Sequence, residues 1–327
     1  MKQYGGVEQL NTATVDVSAP QADEVRVRVH AVAINPIDGY RRMGRLRMTE
    51  KSVLPRGTLH DVSGVVESTG SAVTAFKAGD RVFTRRSECG TLAEYVNIKA
   101  AECVVIPEAV GFEAAAAIPL AGLTALQSLR AAGLVKGETV FISGGAGGVG
   151  TFAIQLAKHW YGASRVVVTC SGKKAELCRS LGADECVDYT TRPKGKVFEG
   201  LGKFDVVFDT TGEATEMTPL VASGRTVVSV AKVDAGIAPD AGFAVRALLN
   251  YMSRDARRAA KKHGVKFQFY RLRHSVDDIA LLGKLVAEGK VRAVIDSTFV
   301  GIEEHKRAFE RAEKGRPAGK VVIVVRS

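Results

Sequence analysis

Apolar and polar positions alternate over residues 25–29, with valines on one face and arginines on the other. That is the pattern of an antiparallel sheet with one face in solvent. Strand-like, glycine-punctuated sequence runs from residue 15 to 83, through VRVRVHAVAI, VSGVVESTG and DRVF. Asn35-Pro36 and Ala78-Gly79-Asp80 mark turns within it. These signals predict a β-rich first domain reaching to about Gly111. Helical periodicity follows over residues 112–132, in two pieces broken at Pro119.

Beyond that point the pattern changes to alternating strands and helices. Strands are predicted at 139–143, 165–170, 186–189, 204–209, 225–230 and 265–270, with periodic segments at 173–181 and 243–262 between them. Such alternation predicts an α/β fold with a parallel, doubly wound sheet. A helix at 276–288, a strand at 292–300, a helix at 302–313 and a strand at 320–325 complete the chain. The last strand is expected to rejoin the first domain.

The junction of strand and helix at residues 139–160, TVFISGGAGGVGTFAIQLAKHW, carries the clearest chemistry. Gly145, Gly147 and Gly150 fit G-x-G-x-x-G after a strand and before a helix. One glycine turns the chain, one admits a pyrophosphate to the backbone, and one lets the helix pack on the strand. The helix N-terminus from about Val149 then faces the phosphates with free N–H groups. Dinucleotide binding is the expectation. Ser143 has no G-x-S-x-G surroundings, which argues against a nucleophile elbow.

Composition narrows the class. A chain of 327 residues with 46% hydrophobic and 25% charged residues has room for two globular domains. No apolar run approaches a membrane span. The opening MKQYGGVEQL lacks a signal-peptide core and an arginine-rich presequence, so cytoplasmic residence is expected. Five cysteines (Cys89, Cys103, Cys170, Cys178, Cys186) form no C-x-x-C pair and read mostly as packing residues. The formal net charge of +11 is concentrated at residues 254–274, where eight lysines and arginines face Asp255 alone. A solvated helix face accounts for this, and so could a nucleic-acid contact. Without interleaved aromatics or a zinc finger, nucleic acid is not the expected partner.

Several further stretches carry a family resemblance: AINPIDGY (33–40), HDVSGVV (60–66), FKAGDRV (76–82), GTLAEYV (90–96), IPLAGLTA (118–125), GGAGGVG (144–150), LGADECVDY (181–189), GKVRAVID (289–296) and GRPAGKVVI (315–323). In this order they resemble the medium-chain dehydrogenase/reductases, specifically the zinc-independent quinone oxidoreductases of the zeta-crystallin type. Within that group the sequence is most similar to the branch containing the reticulon-interacting mitochondrial oxidoreductase, whose members carry a presequence. The resemblance implies a GroES-like catalytic domain (residues 1–116 and 291–327), a Rossmann NADP-binding domain (117–290) and a site in the cleft between them.

Cofactor choice follows from charge. About twenty residues past the glycines an NAD site places a carboxylate on the ribose. Here residues 169–174 read TCSGKK, with no acid before Glu176. The resemblance puts Ser171, Lys174 and Tyr189 on the 2′-phosphate of NADPH, beside Gly145, Gly147, Gly148, Val149 and Gly150 on the pyrophosphate. It also puts Asn35 and Thr124 near the nicotinamide. The alternative for the lysines is a solvated helix start.

Zinc-dependent relatives hold their metal through Cys, His and a third ligand. In this sequence His60 stands alone, so no metal is expected. Without a Lewis acid an electron-poor acceptor is favoured, a quinone or another conjugated carbonyl. Asn35 and Tyr40 match the family's catalytic positions, where an amide N–H and a phenol could stabilise oxygen charge. A turn asparagine and a packed tyrosine are the alternatives. Asp38 reads as a local cap.

An enone or 2-enoyl thioester reductase is the related reading, with Arg41, Arg42, Arg45 and Arg47 as a basic entrance or a solvated arm. A catalytically weak NADPH-binding protein acting through a partner or RNA is the rival. A homodimer is expected through residues 265–270, unless residues 243–262 cover that sheet edge within one chain.

Overall fold

The structure, a computed structural model, describes residues 1–47, 54–193, 195–230 and 253–325. It divides into two compact units, Met1–Leu123 with Arg273–Ser327, and Thr124–Leu272.

The first unit is built on β1 (Glu24–Ile34). It pairs antiparallel with β2 (Asp61–Thr69), β4 (Tyr95–Lys99) and β13 (Lys320–Val324). β2 continues to β3 (Arg81–Arg85) and then β5 (Val104–Val105), while β12 (Ile295–Val300) runs parallel to β13. The closing strand therefore does rejoin the first domain. Val25, Val27 and Val29 are buried as their alternation requires, whereas Arg28 is exposed. After Val29 the register against β2 shifts and residues 31–34 are all buried. There the second face is covered as well, since Ala31 and Ala33 pack with Ala116, Ala117 and Val322. Continuous apolar sequence replaces alternation because both faces lose water. The predicted break is at Pro119, where one helix (Phe112–Ala117) gives way to another (Pro119–Ala132). The helix Pro36–Arg42 is tied to the helix His305–Lys314 by Arg42, whose guanidinium donates to both Glu313 oxygens at 2.6 and 2.7 Å.

In the second unit six parallel strands lie in the order β11-β10-β9-β6-β7-β8. They are β6 (Thr139–Ile142), β7 (Arg165–Cys170), β8 (Glu185–Asp188), β9 (Phe204–Asp209), β10 (Val221–Ser229) and β11 (Lys266–Phe269). From β6 the chain steps outward through β7 and β8, then restarts at β9 on the other side. The strand order thus reverses between β6 and β9, and crevices at such switch points bind ligands in open α/β sheets. This is the doubly wound sheet expected from the pattern.

β11 closes the strand order at one edge, with Phe267 and Phe269 half-buried. The helix Arg254–Lys262 buries Ala256 and Ala260 and exposes its arginines and lysines. Residues 243–252 of the expected longer segment lie outside the described residues. No helix among the described residues is long and apolar enough to cross a membrane.

Candidate functional site

At the end of β6 the chain enters residues 144–150, where the glycines have separable tasks. Gly144 takes φ +64°, the left-handed turn. A Cβ on Gly145 would lie 2.7 Å from the Val168 Cβ, so this glycine lets the loop press against β7. At Gly150 a Cβ would stand 2.2 Å from the Gly144 carbonyl oxygen, which fixes the helix Gly148–Gln155 against the loop. Gly147 is the N-cap and offers no side chain to the helix. The N–H groups of Gly148, Val149 and Gly150 therefore open the helix without a side-chain cap, as an anion-binding turn requires. The sharp turn belongs to Gly144, one residue ahead of the G-x-G-x-x-G triplet.

Across the switch point, Asp209 organises the matching loop. Its Oδ1 accepts from the N–H groups of Thr211 (3.0 Å), Gly212 (2.7 Å) and Glu213 (3.1 Å), and its Oδ2 accepts from Ser229 Oγ at 2.7 Å. Ser143, fully buried, receives the Thr210 N–H and donates toward Asp209, so it joins the two loops rather than acting as a nucleophile. Sequence reading passed over Asp209. Its signal was an acid closing an apolar strand just before Thr-Thr-Gly.

The adjacent strand ends carry Ser171, Lys174 and Tyr189. Ser171 opens a short 3-10 turn (Gly172–Lys174), and its carbonyl accepts from Lys174 N at 2.8 Å. Tyr189 follows β8, 38% exposed, and its N–H meets the Cys170 carbonyl at 3.3 Å. The three expected residues thus lie on neighbouring segments of one sheet edge. Asp188 adds a carboxylate there, engaged by Thr190 N (2.8 Å) and Oγ1 (2.7 Å), and these bonds hold its pKa below the usual range. Thr124 is buried in the helix Pro119–Ala132.

In the first unit, strand register assembles the second group. Ile34 pairs with Val321 and Ala33 with Asp61, so Asn35 and Lys320, each one residue beyond the Ile34–Val321 pair, converge on Asp61. Asn35 Nδ2 donates to Asp61 Oδ2 at 2.8 Å, and Lys320 Nζ donates to Asn35 Oδ1 and, at 3.0 Å, to the Ile34 carbonyl. Lys320 Nζ and Asp61 Oδ2 stand 3.6 Å apart, both buried. Burial lowers the lysine pKa and raises that of Asp61, while each charge partly offsets the shift of the other. The Asn35 amide is thus engaged by the protein's own charges. Asp38 forms a capping box with Asn35, accepting its N–H at 2.8 Å, as the local-cap expectation requires. Burial, with Asp61 nearby, also pushes the Asp38 carboxyl up to about 7. Its Oδ1 has no partner among the described residues.

Tyr40 lies one turn along the same helix, half-buried, with the Arg45 guanidinium over its ring at 5.2 Å. His60 is buried with both ring nitrogens engaged: Nδ1 bonds the Arg86 carbonyl at 2.9 Å, and Nε2 faces Arg41. Burial and the Arg41 charge push its pKa down to about 2, so the ring is neutral. These residues do not fit a catalytic zinc, which needs three protein ligands. Arg42, 1% exposed and held by Glu313 and the Gly5 carbonyl, cannot belong to the expected basic entrance. Lys320 and Asp61 are the charged residues here that sequence reading missed, because only β-sheet register brings them together.

Comparison with known proteins agrees with this architecture. Residues 21–108 match the alcohol dehydrogenase GroES-like domain, and residues 181–323 match the zinc-binding dehydrogenase family. Tomato (Solanum lycopersicum) 2-methylene-furan-3-one reductase is 36% identical over 98% of this chain and 76% of its own. A quinone oxidoreductase from Coxiella burnetii superposes with a TM-score of 0.86 at 30% identity, covering 99% of this chain and 98% of its own. The Escherichia coli quinone oxidoreductase complexed with NADPH gives 0.81 at 25% identity, with coverages of 99% and 98%. A GroES-like antiparallel unit, a doubly wound unit with a glycine-lined switch point, and relatives matched along nearly the whole chain make this protein a member of the quinone oxidoreductase family of medium-chain dehydrogenase/reductases.

Proposed function

We propose that this oxidoreductase uses NADPH to reduce electron-poor conjugated carbonyls, with quinones as its acceptor class. The observation that carries the reading is the environment of His60. With both ring nitrogens engaged, by the Arg86 carbonyl and by Arg41, it offers no metal an open ligand. Carbonyl polarisation must then come from hydrogen bonds, which suffice for an acceptor already activated by conjugation.

NADP(H) is the cofactor that the strand-end chemistry suits, and the E. coli relative holds NADPH. The uncapped turn at Gly148, Val149 and Gly150 would take the pyrophosphate. The Ser171 hydroxyl and Lys174 ammonium would bind the 2′-phosphate, with Tyr189 flanking it. Bound NADPH supplies the hydride. Tyr40 donates its phenol proton to the acceptor oxygen on which charge develops, and regains a proton from solvent. Asn35, fixed between Asp61 and Lys320, positions the segment that carries Tyr40.

Reduction of an enone double bond is the second reading, favoured by the similarity to the tomato 2-methylene-furan-3-one reductase. Steady-state kinetics in a chelator, with a panel of quinones and enones, tests both. Quinone kcat/KM exceeding enone kcat/KM supports the first reading, and the reverse order supports the second. Activity that requires added zinc refutes both.

A further inference from the structure

Cys170, Cys178 and Cys186 come from three elements yet meet at one point. Cys170 ends β7 and Cys186 lies in β8, whose register pairs it with Val168. Alternation therefore puts Cys170 and Cys186 on the same face of the sheet, as diagonal neighbours. The helix Ala175–Ser180 packs on that face and brings Cys178 between them. All three Sγ atoms lie within 4.8 Å of one another. Cys170 and Cys178 are buried, and Cys186 is half-buried, giving the cluster a solvent side. Cys186 Sγ also lies 3.5 Å from the Ala175 carbonyl.

We propose that these three thiols form a binding site for a three-coordinate thiophilic ion, and that trivalent arsenic is the species best matched to it. Thiolates select soft ions. Among the described residues no histidine or carboxylate joins the cluster, so a tetrahedral ion would lack its fourth protein ligand. Charge makes the finer choice. Three thiolates around a monovalent ion carry two negative charges, and around a divalent ion one, in a largely buried site where Arg179 is the cation acting on the sulfurs. Arsenite escapes this penalty. As(OH)3 and three thiols give As(SR)3 and three waters: three As–O and three S–H bonds break, three As–S and three O–H bonds form, no electrons transfer, and the product is neutral.

Hydrogen bonding from Cys178, reinforced by Cys186, draws the Cys170 thiol down to about 7, against the opposing effect of its burial. Cys178 moves the other way because it donates to Cys170. None of this depends on which acceptor the protein reduces.

Arsenite added to the reduced, full-length protein tests the proposal. One arsenic per chain by native mass spectrometry, with three sulfur neighbours in its X-ray absorption spectrum, is the expected result. Cys178→Ala should lose this binding, and a Cys89→Ala/Cys103→Ala chain should keep it. The wild-type spectrum decides the matter even where a variant folds poorly. No uptake, fewer than three sulfur neighbours, or full uptake by folded Cys178→Ala overturns the assignment.

Discussion

The loop after β6 and the cluster beyond β1 both sit at strand ends, and both hold residues expected to act in the reaction. The first presents backbone. Its N–H groups come from consecutive residues, and glycines make room for them against Val168 and the Gly144 carbonyl. The second presents side-chain charge, with Asn35, Asp38, Asp61 and Lys320 gathered from distant segments into a buried network. A backbone site is local in sequence and tolerates its surroundings as long as space is kept. A charge network depends on every member, because removing one leaves another buried and uncompensated.

The sharpest break of that comparison is Lys320→Met. It should destabilise the protein by about 3–5 kcal/mol, the cost of leaving a buried carboxylate without its partner. Denaturant unfolding measures this, and adding Asp61→Asn should recover much of it. An unchanged midpoint for the single variant would show that the network carries no charge.

Asp38 gives the next effect, through pH. Its folded pKa of about 7 lies above the ordinary 3.8, so between these values the folded state keeps a proton that the unfolded state has lost. Stability therefore falls as pH rises through this window, by up to roughly 4 kcal/mol, and the loss is complete above the folded pKa. Asp38→Asn should flatten the profile over the same range. A wild type whose stability climbs steadily from pH 4 to 7 would contradict the assignment.

The glycine loop should respond to volume instead. Gly145→Ala brings a methyl against Val168, an overpacking cost of about 1–3 kcal/mol. Val168→Ala in the same chain should relieve only part of it, since alanine removes the two methyl groups but keeps the Cβ that lies 2.7 Å away, and charge substitutions in the other unit should relieve none. Gly147→Ala, whose Cβ would meet only the Gly144 carbonyl at 3.3 Å, should cost less.

These differences explain what the sequence disclosed. Strand alternation at Val25, Val27 and Val29, the helix break at Pro119 and the strand-glycine-helix run at β6 are local, so periodicity and turn chemistry expose them. Lys320 and Asp61 meet only through the register of β13 and β2 on β1, which no local pattern encodes. The same holds for Cys170, Cys178 and Cys186. Each reads alone as a packing cysteine, and only the β7–β8 register and the intervening helix bring their sulfurs together. Asn35 stood out as a candidate amide, but the charges that engage it did not.

A smaller, more selective effect belongs to Lys174. Lys174→Ala should weaken NADPH by about 1–3 kcal/mol, the range for a hydrogen bond to a charged group, and leave NADH binding almost unchanged. Fluorescence titration with both cofactors checks this. Equal losses for the two would remove Lys174 from the 2′-phosphate.

Single-turnover stopped flow tests the central claim most directly. Protein loaded with NADPH is mixed, in the presence of a chelator, with para-benzoquinone or an alkyl enone, and loss of the reduced-nicotinamide absorbance is followed against a protein-free control. The account predicts rapid protein-dependent oxidation of bound NADPH by the quinone, slowed in Tyr40→Phe. Bound NADPH that stays reduced in the presence of both acceptors would contradict it.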